Sequence, residues 1–304
     1  MWFAGFSVHY VLFFDFIRLY IRTLTQLPGC CMISSLCLFP RGSPYRGEKN
    51  GKTLIILSVM PRMRKGGNHT LSSFVLRLMA LLCMFVDHAG LALFPSVGIF
   101  RCVGRLAFPL YCFLIAQGFC HTRDIRAYAR RLLFLALVSE VPFDLLIFGR
   151  ISSAMEQNVV FALLLGLLAL CAVRSLKGKP LLSAMAVFAL MLVAMAAKVS
   201  FGWLGIALCL AFGYAHDDRI LQALSAVLLP ALYSLTLLLS GVSHSWVMVS
   251  LCACLSAVPI FLYNGKPGLH HRALTFAFYA AYPLHLCFLL LIRAMRIIPP
   301  YFLH

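Results

Sequence analysis

The chain has 304 residues, of which 62% are apolar and only 12% charged, with a mean hydropathy of +0.93. A soluble domain carries about 25% charged residues, so these values exclude an ordinary soluble fold and point to an all-α, polytopic membrane helical bundle. The net charge of +17 comes from 26 Lys and Arg against 9 Asp and Glu. The basic residues cluster in short connections between apolar runs, where they set orientation and meet anionic lipid headgroups; no basic, aromatic-interleaved surface points to nucleic acid.

In chain order, residues 1–70 read as an N-terminal extension unlike the rest. Asp15, Arg18 and Arg22 interrupt its apolar start before it can span a bilayer, and Pro40 to Lys52 is polar, basic and turn-rich. The extension is expected to be disordered or to reflect a mis-assigned start, with translation beginning at Met60 or Met63. An interfacial amphipathic helix over 13–27 is the alternative. From residue 71 to 296 the chain reads as one membrane-embedded domain of about nine spans: 72–94, 98–118, 129–148, 157–173, 181–198, 201–215, 219–240, 244–263 and 273–293. The fifth and sixth are separated only by Lys198-Val199-Ser200 and could form one broken helix.

Lys and Arg bias sets the orientation. Arg62, Arg64, Lys65 and Arg77 precede or open the first span, and Arg123, Arg126, Arg130 and Arg131 follow the second. Arg174, Lys177 and Lys179 follow the fourth, and Lys266 and Arg272 precede the last. The opposite loops carry fewer: Arg101, Arg150 and Lys198. The first span therefore starts in the cytoplasm and the C-terminus lies outside, with only Arg293 and Arg296 against the trend.

The polar residues inside these spans are the candidates for chemistry, because a charge in hydrocarbon is costly. Asp87 and His88 lie in the first span and Arg105 in the second, joined by the turn Pro95-Ser96-Val97-Gly98. His88 and Arg105 each stand about 9 Å below the same outer surface and could meet. The alternative is a buried Asp–Arg ion pair that only locks two helices. Glu140 lies about 17 Å into the third span, and Asp144 follows one turn later on the same face. Pro142 between them should kink the helix. Gln157 and Asn158 open the fourth span, and Tyr282-Pro283-Leu284-His285 places a second imidazole in the last.

These positions on five spans imply a water-accessible pocket in the outer half of the bilayer. His88, beside Asp87, is the best base. Arg105 suits a carboxylate or phosphate. Glu140 is either a base or the partner of Arg105. His285 is either part of the site or bonded to a carbonyl freed by Pro283. Tyr282 is either a site residue or an interfacial aromatic. At the cytoplasmic end, His121 and Arg123 read as ordinary topology residues or as a docking surface for a phosphorylated donor such as a CoA nucleotide. Most of the twelve Cys sit singly in apolar runs, Cys252 and Cys254 lack CxxC spacing, and neither a disulfide framework nor a metal site is indicated. No Walker loop or GxGxxG is present.

Five ordered blocks carry a resemblance: MFVDHAG at 84–90, GRLAFPLYCFLIAQGFCHTR at 104–123, RRLLFLALVSEVPFDLL at 130–146, QNVVFALLLGL at 157–167 and FYAAYPLHL at 278–286. Together they resemble the TraX family of conjugal pilin acetylases, a branch of the transmembrane acyltransferases. Gln117 departs from the family, where a glutamate is expected before the Gly-Phe pair, and the N-terminal extension is also unlike it. The resemblance implies a multi-pass protein of the bacterial inner membrane. Its donor would be acetyl-CoA, and its acceptor the N-terminal amine of a pilin subunit or a glycan. It maps Asp87, His88, Arg105, Glu140 and His285 onto the family's recurrent polar positions. In that reading His88 is base or transient acyl carrier, with Asp87 fixing its tautomer; Arg105 positions the donor or stabilises developing charge. Asp144, Gln157, Asn158, Tyr282, His121 and Arg123 complete the expected binding residues. A proton-coupled transporter and a non-catalytic assembly protein of a conjugation or secretion apparatus are the alternatives.

Overall fold

The computed structural model describes residues 70–151, 155–269 and 271–295. The extension expected over 1–70 lies, up to residue 69, outside the described residues, as does Arg296. Every described element is helical apart from two isolated bridges, Leu71–Tyr263 and Gln157–Val199.

Helix α1, Ser73–Leu93, starts where the Ser72 hydroxyl accepts a bond from the Val75 N–H. The second run is in two pieces, α2 (Gly98–Gly104) and α3 (Ala107–His121), meeting at Arg105 and Leu106. Helix α4, Ile125–Phe148, is capped by Asp124, continues through Pro142 and stops at Gly149 with φ +68°. Asn158 caps α5, Val159–Ser175, and Pro180 opens α6, Pro180–Ala196.

Helices α6 and α7 (Trp203–Tyr214) are separate, not one interrupted helix. Lys198 and Phe201 adopt positive φ between them, and the turn is pinned to the start of α5 by Gln157 N–H to the Lys198 carbonyl and Ser200 N–H to the Gln157 carbonyl. Helix α8, Arg219–Leu239, is capped by Asp218. Helix α9 (His244–Leu251), a 3-10 turn (Cys252–Ser256) and α10 (Ala257–Phe261) form one continuous run. Helix α11, Arg272–Ala294, ends the described chain.

Nine helical runs among the described residues thus coincide with the nine segments read from sequence. Length and composition support a membrane crossing for five: Ser73–Leu93, Gly98–His121, Arg219–Leu239, His244–Phe261 and Ala273–Ala294. Helices α5 and α6 have 17 residues each and α7 has 12, short of the roughly 20 that a bilayer core requires. The expectation of nine spans was set by apolar runs alone, which do not separate a crossing helix from one buried inside the bundle. Helix α7 is the second kind, buried from Trp203 to Leu210 without interruption. It sits against α3 and α5, and α5 approaches it closely: a Cβ on Gly166 would lie 2.5 Å from the Cys209 sulfur.

Helix α11 shows the opposite pattern. Tyr282, His285, Leu286 and Leu289 are buried at helical spacing, while Phe276, Leu284, Phe288 and Leu291 are exposed on the other side. An apolar exposed face on a long apolar helix is a lipid face. The buried face packs on α1 and α4, and this packing positions the site.

Candidate active site

Helix α1 brings its polar pair inward at His88, only 8% exposed. Its Nδ1 lies 3.0 Å from the Met84 carbonyl one turn earlier. From α11, His285 places Nε2 3.2 Å from the same Nδ1, and its own Nδ1 lies 3.0 Å from the Ala281 carbonyl. The two imidazoles stand 5.0 Å apart, centroid to centroid. Tyr282 flanks both, at 6.2 Å from His88 and 5.5 Å from His285, and its buried hydroxyl has no hydrogen-bond partner among the described residues. A buried phenol without a partner is a donor awaiting an acceptor.

Asp87 faces elsewhere. Its carboxylate pairs with Arg101 at 2.7 Å, and Arg101 also donates to the Asp87 backbone carbonyl at 3.4 Å. The expectation that Asp87 fixes the tautomer of His88 is therefore corrected: the Met84 carbonyl holds that nitrogen. The expected partner of Asp87 is corrected as well. Arg105 lies within electrostatic range of Asp87 and His88. Its guanidinium, however, rests 5.4 Å from the Phe201 ring and 5.7 Å from the Trp246 ring. Gly104 explains the close approach of α2 to α1, since a Cβ there would lie 2.1 Å from Asp87 Oδ1.

Glu140 does not pair with Arg105. Its Oε2 accepts from the backbone and side-chain N–H groups of Asn158, whose amide also donates to the Ala136 carbonyl at 2.9 Å. The other oxygen, Oε1, is buried without a hydrogen-bond partner among the described residues, and Glu140 lies within electrostatic range of Tyr282 and Asp144. Asp144 is buried one turn further along α4. Gln157 serves the bridge to residues 198–200 through its backbone. His285 bonds the Ala281 carbonyl, not the Tyr279 carbonyl whose helical partner Pro283 removes.

A cavity of about 540 Å³ lies between α1, α3, α4, α5 and α11. Met84 and Tyr282 line its inner part, next to the imidazole pair. Arg77, His121, Thr122, Arg123, Arg131 and Thr275 line the end where α1, α4 and α11 begin and α3 finishes. Of the expected site residues, Tyr282, His121 and Arg123 line the cavity, the last two at its mouth. His88 and His285 lie behind Met84 and Tyr282, and Asp87, Arg105, Glu140, Asp144, Gln157 and Asn158 do not line it. Sequence reasoning missed Arg101 as a partner and Arg77, Tyr111, Tyr128 and Arg131 as cavity residues. The signal for Arg101 was its position one helical turn from Arg105.

Against known proteins, the family described as "TraX protein" matches residues 72–293. A "Probable fimbrial assembly protein FimC, serogroup H1" from Dichelobacter nodosus is 34% identical over 239 residues, covering 73% of this chain and 96% of that protein. "Uncharacterized protein RP591" from Rickettsia prowazekii (strain Madrid E) is 38% identical over 52 residues, 17% of this chain and 21% of that protein. No solved structure matches. The family match takes in α1 through almost all of α11, including both histidines and the whole cavity, and the chain belongs to the TraX family.

Proposed function

We propose that this chain is a membrane-embedded acyltransferase of the bacterial inner membrane, moving an acetyl group from acetyl-CoA to an acceptor at the outer face. The acceptor is an amine, the N-terminus of a pilin subunit, or a glycan hydroxyl. One observation carries this reading: a cavity with a cationic mouth runs inward to Met84 and Tyr282, the immediate neighbours of a pair of buried imidazoles. The positive-inside bias puts that mouth in the cytoplasm, where acetyl-CoA is made. The fimbrial assembly name of the Dichelobacter nodosus relative supports a pilin acceptor.

The chemistry needs a base and a stabiliser of negative charge. His88 takes a proton from the attacking amine or hydroxyl as that group bonds to the thioester carbonyl carbon. Tyr282 donates its free hydroxyl hydrogen to the developing oxyanion. The C–S bond then breaks, and the leaving CoA thiolate recovers the proton from the His88 imidazolium. Products are the acetylated acceptor and CoA. His285 positions His88, and the Glu140–Asn158 pair holds α4 against the start of α5 beside Tyr282.

Full-length protein in nanodiscs, given acetyl-CoA and a peptide with a free N-terminus, should release CoA thiol and yield acetylated peptide. His88→Ala should abolish both. Undiminished turnover in a folded His88→Ala protein would remove His88 from this role. A non-catalytic assembly factor, the reading nearest to the relative's name, predicts neither acetyl-CoA binding nor turnover in any acceptor mixture.

A further inference from the structure

We propose that Arg105 is the anion-binding half of an acceptor site at the outer end of the bundle, selecting a peptide whose free amine stands close to a carboxylate. This rests on the acyl-transfer reading and names what that reading leaves open, the chemistry of the acceptor. Arg105 stands where α2 meets α3, at the opposite end of α3 from the cavity mouth, and it does not line that cavity. The positive-inside bias puts this end outside. An arginine within a membrane bundle normally pairs with an acidic group. Among the described residues Arg105 forms no ion pair: the Asp87 carboxylate is engaged by Arg101 at 2.7 Å, and Glu156 accepts from the Ser200 hydroxyl at 2.7 Å. Its Nε is buried without a hydrogen-bond partner among the described residues.

The surroundings hold this cation in place. Its guanidinium carbon lies 5.4 Å from the Phe201 ring and 5.7 Å from the Trp246 ring. Phe201, in the turn before α7, has φ +62°, a left-handed conformation unfavourable for a bulky side chain. Backbone strain of this kind persists at ligand clamps, where the neighbours enforce it. Here the neighbour is Phe108 of α3, stacked on Phe201 with centroids 4.0 Å apart and planes 10° from parallel. A guanidinium flanked by ring faces is fixed in orientation and keeps its edge N–H groups for bidentate contact with a planar oxyanion. The gap beside it, reaching Tyr233 of α8 and Ser250 of α9, measures about 10 Å³, room for a water and not for a carboxylate. The ligand therefore meets the guanidinium from the outer end, where Trp246 is 44% exposed.

Charge then selects the acceptor. Arg101 and Arg105 are both within electrostatic range of His88, so a carboxylate held by Arg105 leaves a neighbouring amine of the same molecule near the base. The same two cations repel a lone ammonium group, and a carboxylate beside it offsets that repulsion. The fimbrial assembly name of the Dichelobacter nodosus relative favours a peptide over an amino-uronate glycan as the source of the carboxylate. A phospholipid headgroup phosphate is the competing anion.

The test uses full-length protein in nanodiscs of zwitterionic lipid, acetyl-CoA, and paired peptides that differ only in Asp or Asn at the residue after the free amine. Wild type should acetylate the Asp peptide with kcat/KM roughly ten-fold or more above the Asn peptide, the difference lying in KM. Arg105→Gln should bring that ratio to about one, and Arg105→Lys should restore part of it. Trp246→Leu keeps the charge but frees the guanidinium, and should also reduce the ratio. Thermal melting checks that each variant is folded, and calorimetry without acetyl-CoA measures peptide binding apart from turnover. Carboxylate-dependent binding that Arg105→Gln removes, in a protein that transfers nothing, would uphold the anion site and overturn the enzyme reading. Equal turnover of both peptides by wild type would overturn the anion site and leave the enzyme reading standing. A preference for Asp that survives Arg105→Gln would overturn the assignment to Arg105. So would Arg105-dependent retention of phosphatidylglycerol with no preference between peptides, or acceptance of an amino-uronate glycan and neither peptide.

Discussion

His285 Nε2 stands 3.2 Å from His88 Nδ1, and this contact decides which nitrogen of His88 is left for chemistry. His285 Nδ1 faces the Ala281 carbonyl, which can only accept, so that nitrogen carries the hydrogen and Nε2 carries a lone pair. His88 Nδ1 then has two acceptors before it, the Met84 carbonyl and His285 Nε2, and must be the donor. The proton-free nitrogen of His88 is Nε2, the one that can accept a proton. Removing it with His88→Gln should lower acetyl transfer by about 100-fold or more. His285→Gln leaves the Met84 carbonyl in place, so the loss should be about ten-fold. Thiol release at saturating acceptor measures both; equal losses would mean that His285 touches substrate.

Gly98 and Gly104 begin and end the same short helix but sit in opposite surroundings. A methyl group on Gly104 would lie within 2.4 Å of three Asp87 atoms, whereas one on Gly98 meets nothing within 4 Å. Gly104→Ala should therefore destabilise by about 1–3 kcal/mol, the usual cost of forcing volume into a packed interface, and loosen the Asp87–Arg101 pair. Gly98→Ala should be near neutral. Parallel thermal melts in detergent compare the two, and equal melting temperatures would contradict the close approach.

Arg101 was legible only as a loop cation, and the reason is geometric. Depth counted along helix axes ranks Asp87 with Arg105, because both lie well below the surface. It ignores the length of an Arg side chain, which lets Arg101 reach inward from nearer the surface. Other parts of the site were readable. Intramembrane Asp, Glu and His pick themselves out by cost, and the order of apolar runs located every described helix. Pairing between distant spans was not readable, since the His88–His285 and Glu140–Asn158 contacts depend on which faces α11 and α5 turn inward. The three short helices show the same limit: apolar content does not tell lipid from protein as the neighbour.

The Asp87–Arg101 pair gives a second stability test. Its side chains are 18% and 14% exposed, so removing one partner leaves a largely desolvated charge. Arg101→Gln should cost about 3–5 kcal/mol, and Asp87→Asn a similar amount. The double substitution should recover much of this, because two neutral amides leave no buried charge behind. Additive losses in a double-mutant cycle would show that the pair contributes no coupling.

A pH effect should arise at the opposite end, outside the spans. His216 lies in the connection between α7 and α8, its ring centroid 5.7 Å from that of His121 at the cavity mouth. Burial pulls its pKa below the ordinary histidine value of 6.5; His121 adds to this, and the Asp217 carboxylate opposes it. The unfolded chain therefore binds this proton more readily than the folded one. Stability contributed here is intact above about pH 6.5 and is lost as pH falls through that value towards the lowered folded one. His216→Asn removes the titration, and the buried Nδ1 it deletes has no hydrogen-bond partner among the described residues. Melting temperatures between about pH 7.5 and 5.5 should fall less steeply in His216→Asn than in wild type. Identical slopes would mean that protonation of His216 costs the fold nothing.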